Sequence, residues 1–289
     1  MPTHADATPP APDHALSALR GEIDSIDDAL HDLVMRRAAV VARLAASRVK
    51  GDASSLRPGR EARILRRLLA RHAGALPPSA LVRLWREILG ASNAMQGAFL
   101  VALPEGDAAL EKAARSRFGA MAKPHYAAGP EAALALLAAG SVQAAALPVP
   151  AEAGAGAWWT GLDAPRLQVV SRLPFYAVEG LPRAMVVTRD GPDPSDDDRS
   201  LLRLVLDAGG LPNGAANAVG AVLRGVGFVD RSVLLHGQQD SVLALAEVDG
   251  AVAEDDPRLS ALAGRSPVNR AQPLGFYATP VRPAAEEGD

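Results

Sequence analysis

The sequence predicts a multidomain protein, with an all-α region of three helices followed by an α/β lobe and an α+β module. Between Leu16 and Leu44 the apolar residues recur at alternating spacings of three and four, which is the pattern of a long helix with one apolar stripe. Beyond residue 98, short apolar runs alternate with Ala-rich stretches, which is typical of α/β structure. After Pro182 the predicted order is strand, helix, two strands, helix and strand.

The composition is that of a globular protein and excludes several kinds of site. The chain has 289 residues, of which 48% are hydrophobic and 22% are charged, enough for two or three compact units. It contains no cysteine, which excludes disulfides, a thiolate nucleophile and a cysteine-ligated metal, and this fits a cytoplasmic protein. Residues 1–12 lack Lys, Arg and an apolar run, so we expect a disordered leader there and no targeting signal. The apolar stretches are too short and too weak to predict a membrane span.

Charge is distributed unevenly along the chain. Residues 1–97 contain 14 Lys and Arg against 10 Asp and Glu, a net charge of +4, whereas the whole chain carries −3. The excess predicts an anionic ligand near the N-terminus. Nucleic acid is not an expected partner, because the basic residues lack interleaved aromatic residues and match no groove-reading motif. The histidines lack metal-ligand spacing, so we predict neither a metal nor a cofactor.

The three N-terminal helices follow from the apolar pattern and the residues that interrupt it. The first runs from Asp13 to about Gly51, roughly 50 Å at 1.5 Å per residue, and a helix of this length needs packing partners along all of it. The second begins near Pro58, since proline suits the first turn of a helix, and ends near His72. The third begins at Ser79 and has one apolar side. That side contains Leu81, Leu84, Trp85, Ile88, Met95 and Phe99.

The remaining elements are predicted from short apolar runs. The runs AFLVAL and VQAAALPV are strands of the α/β lobe, with a helix from Pro130 to Leu137 between them. The polar segment RDGPDPSDDD, residues 189–198, is predicted to be a solvated linker or loop. The α+β module begins at SLLRLVL and ends at PLGFYATPV. The predicted domain bounds are therefore 13–100, 101–189 and 199–282.

Polar residues interrupt the apolar sides of all three helices. Arg37 stands where the spacing requires an apolar residue, and Arg48, eleven residues later, projects from nearly the same face. The other two helices carry the pairs Arg60 with Glu61 and Ser92 with Gln96. Taken alone, an arginine at an apolar position can extend to the surface or pair with a structural carboxylate. Taken alone, each polar pair can simply mark the border between the buried and the exposed side of its helix. Together they predict a pocket for a small, multiply anionic molecule inside a helical bundle.

Residues 13–100 resemble the all-helical chorismate mutases. Four motifs carry the resemblance: ALRGEIDSIDDAL at 18–30, LVMRR at 33–37, RPGREARIL at 57–65 and LWREILGASNAMQ at 84–96. The resemblance implies a chorismate mutase that makes prephenate for aromatic amino acid biosynthesis and works as an intertwined homodimer. Geometry supports the dimer as well, because two shorter helices leave most of the apolar stripe of a 50 Å helix uncovered.

The resemblance also implies roles for individual residues. The implied catalytic residues are Arg48, Glu61 and Gln96; the implied substrate-binding residues are Arg20, Arg37, Arg57, Arg60 and Ser92. Arg20 is implied to reach into the active site of the partner subunit. The family usually has Lys at the position of Arg48 and often Asp at that of Arg57. Arginine keeps the positive charge but offers a broader, planar set of donors.

The implied reaction is pericyclic, so it needs no nucleophile, metal or redox cofactor. The protein must hold the flexible dianion in its reactive conformer, for which arginines paired with the two carboxylates are suited. It must also stabilise negative charge on the ether oxygen as the C–O bond breaks, which requires donors such as Arg48 and Gln96. Glu61 would interact with the substrate hydroxyl.

The rest of the chain resembles, more faintly, the prephenate dehydratases and the ACT domains. Residues 101–119 and 131–150 are similar to parts of one dehydratase lobe, but only Arg183 remains of the Thr-Arg-Phe catalytic motif. The dehydratase cleft lies between two lobes, so we predict a degenerate lobe without dehydratase activity. Residues 199–282 are similar to the βαββαβ ACT module, which binds an amino-acid effector. The effector motif is not recognisable near residues 230–237, which makes dimerisation the simpler role for this module.

The leading hypothesis is a chorismate mutase whose C-terminal part is an accessory. Three alternatives stand beside it: a bifunctional chorismate mutase and prephenate dehydratase, an isochorismate pyruvate lyase, and a non-catalytic regulatory partner of an aromatic-pathway enzyme. The missing Thr disfavours the first, while Glu61 and Gln96 fit the mutase better than the lyase. Retention of the whole polar set argues against a non-catalytic protein.

Overall fold

The structure is a computed structural model that describes residues 12–47, 56–177, 180, 182–207, 214–237 and 242–282. The chain divides into two compact units, with the boundary between residues 51 and 52. Most of the predicted leader, residues 1–11, and the predicted catalytic residue Arg48 lie outside the described residues. No helix of the described part is long and apolar enough to cross a membrane.

The first unit contains one long helix, α1, from Pro12 to Ser47. Its 36 residues span about 54 Å at 1.5 Å per residue, as the apolar pattern predicts. The apolar stripe of α1 consists of Leu16, Leu19, Ile23, Ile26, Leu30, Leu33, Val40 and Leu44. Each of these side chains is between 48% and 58% exposed, so the single chain leaves the stripe open to solvent.

The described part of the second unit begins with α2 (Pro58–Ala70), which has the predicted proline in its first turn, and α3 (Pro78–Ala94), which begins one residue before the predicted Ser79. Leu65 of α2 and Val82 of α3 are buried in one cluster with Phe175 from the later part of the chain. The expectation that Phe99 lies on the apolar side of α3 is wrong. The helix ends at Ala94, and Phe99 is buried beside Phe118 in the core of the α/β lobe.

The other described elements form a nine-stranded sheet with helices on it. The strands are β1 (Leu100–Pro104), β2 (Lys123–Ala127), β3 (Ala144–Leu147), β4 (Gln168–Leu173), β5 (Ala184–Thr188), β6 (Asp198–Leu206), β7 (Asp230–Gly237), β8 (Val242–Asp249) and β9 (Val268–Ala278). The helices are α4 (Ala108–Phe118), α5 (Pro130–Ala138), α6 (Ala215–Gly225) and α7 (Pro257–Leu262), with a 3-10 helix at Gly154–Gly161. The strand order is β2-β1-β3-β5-β4-β9-β6-β8-β7.

The α/β lobe is built around β1, which pairs in parallel with β2 and β3. Successive residues of β1 point to opposite faces: Ala102 lies in the core beneath α5, and Val101 and Leu103 in the core beneath α4. Asp107 accepts a hydrogen bond from the backbone N–H of Leu110 and so caps α4. The lobe therefore packs helices on both faces of its strands.

The C-terminal module has the predicted order of strand, helix, two strands, helix and strand, from β6 to β9. Its strands lie in the antiparallel order β9-β6-β8-β7. The sheet of the module continues into the lobe, because β9 pairs with β4 where Val169 faces Gly275. A Cβ at Gly275 would collide with the backbone of Val169, so this close approach requires glycine.

Residues 189–197 form a loop between β5 and β6, as predicted, but part of this loop is packed against α2 rather than fully solvated. Both carboxylate oxygens of Asp193 accept hydrogen bonds at the start of α2, from the backbone N–H groups of Gly59 (2.9 Å) and Arg60 (3.0 Å). Arg66 of α2 donates to the backbone oxygens of Ser195 (2.7 Å) and Asp197 (2.8 Å). The segment is held in place because it supplies hydrogen-bond acceptors to the unpaired N–H groups at the start of α2 and to the Arg66 guanidinium.

Candidate active site

The arginines predicted for substrate binding on α1 lie near opposite ends of that helix. Arg20 is exposed and Arg37 is partly buried. Their separation of 17 residues corresponds to about 25 Å along the helix axis. Arg20 and Arg37 of one chain are therefore too far apart along α1 to contact the same small ligand.

The predicted residues at the start of α2 differ in their surroundings. Arg57 directly precedes the helix, and its Nε lies 3.4 Å from Oδ2 of Asp193, with 47% of its side chain exposed. Arg60 is exposed, and its backbone N–H is bound by the same carboxylate. Asp193 thus fixes the first turn of α2, from which Arg60 and then Glu61 project.

Glu61 is the centre of a buried charge cluster. Its Oε2 accepts hydrogen bonds from Nη1 of Arg86 on α3 (2.8 Å) and from Nη1 of Arg117 on α4 (2.6 Å). Its Oε1 lies 3.5 Å from Nδ2 of Asn93. The three charged residues are only 4% to 7% exposed. We call Glu61, Arg86, Arg117 and Asn93 the Glu61 cluster.

The Glu61 cluster contains two guanidinium groups for one carboxylate. Burial first, and the charge of Arg117 next, lower the pKa of the Arg86 guanidinium to about 9, while Glu61 acts in the opposite direction. Each guanidinium also lies against an aromatic ring: Arg86 is 5.5 Å from the ring centre of Phe175, and Arg117 is 5.2 Å from that of Phe118. The cluster is therefore held by rings as well as by Glu61, and it carries excess positive charge.

Ser92 lies in the last turn of α3, and Gln96 lies in the turn two residues past the end of that helix. The Ser92 hydroxyl donates to the backbone oxygen of Ile88 at 2.7 Å, and the residue is buried. The Gln96 side-chain amide donates to the backbone oxygen of Ser92 at 3.0 Å and is partly buried. Both side chains are bound to their own helix, so a ligand would compete with these contacts.

The structure thus brings one predicted site residue, Glu61, to two arginines that were not predicted. Arg86 lies four residues after Val82 and three before Leu89, and all three are buried on one side of α3. Arg117 lies seven residues after Leu110 on the buried side of α4. The argument that singled out Arg37, a charge at an apolar position of a helix, would have found both. No group of three or more His, Cys, Asp or Glu able to hold a metal occurs in the described part of the chain.

Comparison with known proteins assigns the N-terminal region. Residues 19–97 match the family model for chorismate mutase type II. The bifunctional chorismate mutase/prephenate dehydratase of Stutzerimonas stutzeri is 33% identical over 111 residues, which cover 36% of this chain and 30% of that protein. The chain therefore spans about a third of the length of this curated relative. The predicted resemblance of the N-terminal region to chorismate mutases is confirmed.

The chain also matches three solved structures at low sequence identity. A protein described as GqqA, a novel type of quorum quenching acylase, has a TM-score of 0.47 at 16% identity, and covers 66% of this chain and 100% of that one. Prephenate dehydratase from Arthrobacter aurescens, in complex with L-Phe, has a TM-score of 0.45 at 14% identity, and covers 62% and 89%. Prephenate dehydratase from Streptococcus mutans has a TM-score of 0.46 at 12% identity, and covers 64% and 100%.

Proposed function

We propose that this protein is a chorismate mutase that converts chorismate to prephenate and acts in the cytoplasm. The observation that carries the proposal is the match of residues 19–97 to the chorismate mutase type II family. Within those residues stand Arg20, Arg37, Arg48, Arg60, Glu61, Ser92 and Gln96, the polar set of the three helices, together with Arg57.

The proposed site divides its work between binding and charge stabilisation. Arg37 and Arg60, with Arg20 of the partner subunit, pair with the two carboxylates and hold the dianion in its compact conformer. Arg48 and Gln96 donate to the ether oxygen as negative charge develops there. Ser92 supports a carboxylate, and Arg57 is a further contact.

Glu61 is proposed to accept a hydrogen bond from the substrate hydroxyl. Its Oε2 is already occupied by Arg86 and Arg117, whereas the neighbour of Oε1 is Asn93 at 3.5 Å, a weak contact. Oε1 is therefore the atom proposed to meet the substrate. In this arrangement Arg86 and Arg117 fix the carboxylate in place.

We propose an intertwined homodimer in which the α1 stripe packs against a second copy of the chain. The stripe is about half exposed along its whole length, and a monomeric protein seldom leaves so long an apolar face open. Because Arg20 and Arg37 lie about 25 Å apart along α1, a dimer also allows each active site to use Arg37 of one chain and Arg20 of the other.

The C-terminal part is proposed to be an accessory without dehydratase activity. Of the Thr-Arg-Phe motif only Arg183 remains, and it is exposed just before β5. The βαββαβ module is proposed to be ACT-like, with dimerisation as its role and an amino-acid effector as a candidate ligand.

Loss of chorismate absorbance on adding the full-length protein, with chromatographic separation of the products, tests the proposal. Prephenate alone is expected. Phenylpyruvate would favour the bifunctional enzyme, salicylate from isochorismate would favour the lyase, and no turnover would favour the non-catalytic partner. Arg37→Ala should lower kcat/KM by at least about 100-fold, the effect of losing a bidentate carboxylate contact. The adjacent exposed Arg36→Ala is the matched control and should keep the rate of the parent protein.

A further inference from the structure

A cavity of about 290 Å³ lies between α3, α4 and the residues that follow β4. Its lining includes the apolar and aromatic residues Val82, Leu173, Pro174, Phe175 and Tyr176. It also includes four cationic residues, Arg83, Arg86, Lys112 and Arg117. None of the described residues that line the cavity is acidic. The cavity therefore combines apolar surface with a strong positive charge.

In the described part of the chain, the two buried arginines of the cavity have one carboxylate partner, Glu61. Arg86 and Arg117 share its Oε2, and each uses a single Nη1 for it. A guanidinium has five N–H donors, so both groups keep donors for a second acceptor. Burial first, and the charge of Arg117 next, lower the pKa of the Arg86 guanidinium. A carboxylate in the cavity would offset the repulsion between the two arginines and accept hydrogen bonds from both.

We propose that this cavity binds a small organic anion whose carboxylate pairs with Arg86 and Arg117 and whose ring packs against Val82, Leu173 and Phe175. The volume lies at the small end of ligand pockets, which suits one ring with a short acidic side chain. Arg83 and Lys112 are exposed at the edge of the cavity and attract the anion. The ligand class is thus an aromatic or cyclic carboxylate.

Occupation of the cavity changes the electrostatic surroundings of Glu61. The arginines that would bind the ligand carboxylate are the same two that hold Glu61, so the ligand brings a second negative charge to the arginines that fix the Glu61 carboxylate. This part rests on the proposed mutase function of Glu61. Since Arg117 belongs to the α/β lobe, the cavity gives that lobe a means of regulating the helical site, with the coupling acting equally in both directions on binding.

Isothermal titration calorimetry on the full-length protein tests the site without reference to mutase activity. The probes are 3-phenylpropionate, its uncharged amide and propionate, which separate the ring from the carboxylate. We expect 3-phenylpropionate to bind at least tenfold more tightly than the other two. The double variant Arg83→Gln/Lys112→Gln should weaken it at least fivefold, whereas Arg115→Gln, which removes one positive charge from α4 outside the cavity, should not.

Three outcomes would overturn the site: no binding of 3-phenylpropionate, equal binding of the amide, or equal losses in the double variant and in Arg115→Gln. The coupling is tested by the mutase KM and kcat at saturating 3-phenylpropionate. Either constant should shift at least twofold in the parent protein, and the shift should be smaller in Arg83→Gln/Lys112→Gln at the same probe concentration. An unchanged rate in the parent overturns the coupling. If the protein has no mutase activity, the proposed mutase function fails, while the calorimetry still decides whether the cavity binds the anion.

Discussion

Helix α1 and the pair formed by α2 and α3 differ in what covers their apolar sides. Leu65 of α2 and Leu89 of α3 are 1% and 5% exposed, because α3, α4 and the residues after β4 pack on them. In contrast, Leu30 near the middle of α1 is 54% exposed. The chain itself holds α2 and α3 in place, whereas the stripe of α1 is left for the partner of the proposed homodimer.

The largest effect is expected from a charge on the α1 stripe. Ile26→Glu should dissociate the dimer and lower kcat/KM at least about 100-fold, since each site would lose its Arg20 and the stripe would carry a desolvated carboxylate. Ser25→Glu adds the same charge on another side of α1 and is the control. Analytical ultracentrifugation and the chorismate assay measure both effects. A fully active Ile26→Glu monomer would contradict the proposed sharing of sites.

In the second unit, the most damaging change should be Glu61→Gln. It leaves the buried Arg86 and Arg117 without a negative partner and should lower the free energy of unfolding by about 3–5 kcal/mol. Arg117→Met should cost less, about 1–2 kcal/mol, because it removes a like charge from beside Arg86 and leaves one complete ion pair. Urea unfolding followed by circular dichroism gives both values. If Arg117→Met were the more damaging change, the cluster would not carry the excess positive charge inferred for it.

A glycine on α1 and a glycine on α2 allow the two regions to be compared with the same substitution, Gly to Ala. A Cβ at Gly59 would collide with the backbone oxygens of Asp193 and Pro194, so Gly59→Ala should detach that segment and cost about 1–3 kcal/mol. At Gly21 on α1 there is no atom within 4 Å, and Gly21→Ala should stabilise the helix by about 0.5–1 kcal/mol. Thermal unfolding of both variants measures the difference, and equal shifts would mean that the Asp193 segment does not pack on α2.

The smallest expected effect is one of pH on the second unit. Burial acts to raise the pKa of Glu247, but Arg172, Arg199 and Tyr277 together hold it below its ordinary value. A carboxyl group with a lowered folded-state pKa contributes stability above its unfolded pKa, and loses it as the pH falls through the folded one. Glu247→Gln should therefore flatten the acid limb of the stability curve. Urea midpoints measured from neutral pH down to acid pH show this, and an unchanged slope would contradict it.

The helices could be predicted because their signals are local. The 3-4 spacing of α1, the proline that begins α2 and the apolar side of α3 lie within the elements themselves. The order of elements from β6 to β9 is local in the same sense, because each strand is an apolar run bounded by polar or small residues. Local signals also singled out the polar residues that interrupt the helices.

The surroundings of the site could not be predicted, because they depend on residues far apart in the sequence. Glu61 and Arg117 are separated by 56 residues, and Gly59 and Asp193 by 134. The segment around Asp193 has the Pro, Gly and Asp content of a solvated loop, and its own sequence contains no trace of the helix that binds it. Arg86 and Arg117 differ in this respect, because each occupies the buried side of its own helix and so carries a local signal.

The pairing of β9 with β4 has a consequence for how the chain stays soluble. Without β9, the backbone of β4 would present unpaired N–H and C=O groups at the edge of the sheet, and such edges pair with other chains and aggregate. With β9 in place, the outermost strands are β2 and β7, and β2 carries the charged and polar Lys123 and His125 on its exposed residues. The C-terminal module thus covers the edge of its neighbour, an effect that needs neither an effector nor a reaction in that module.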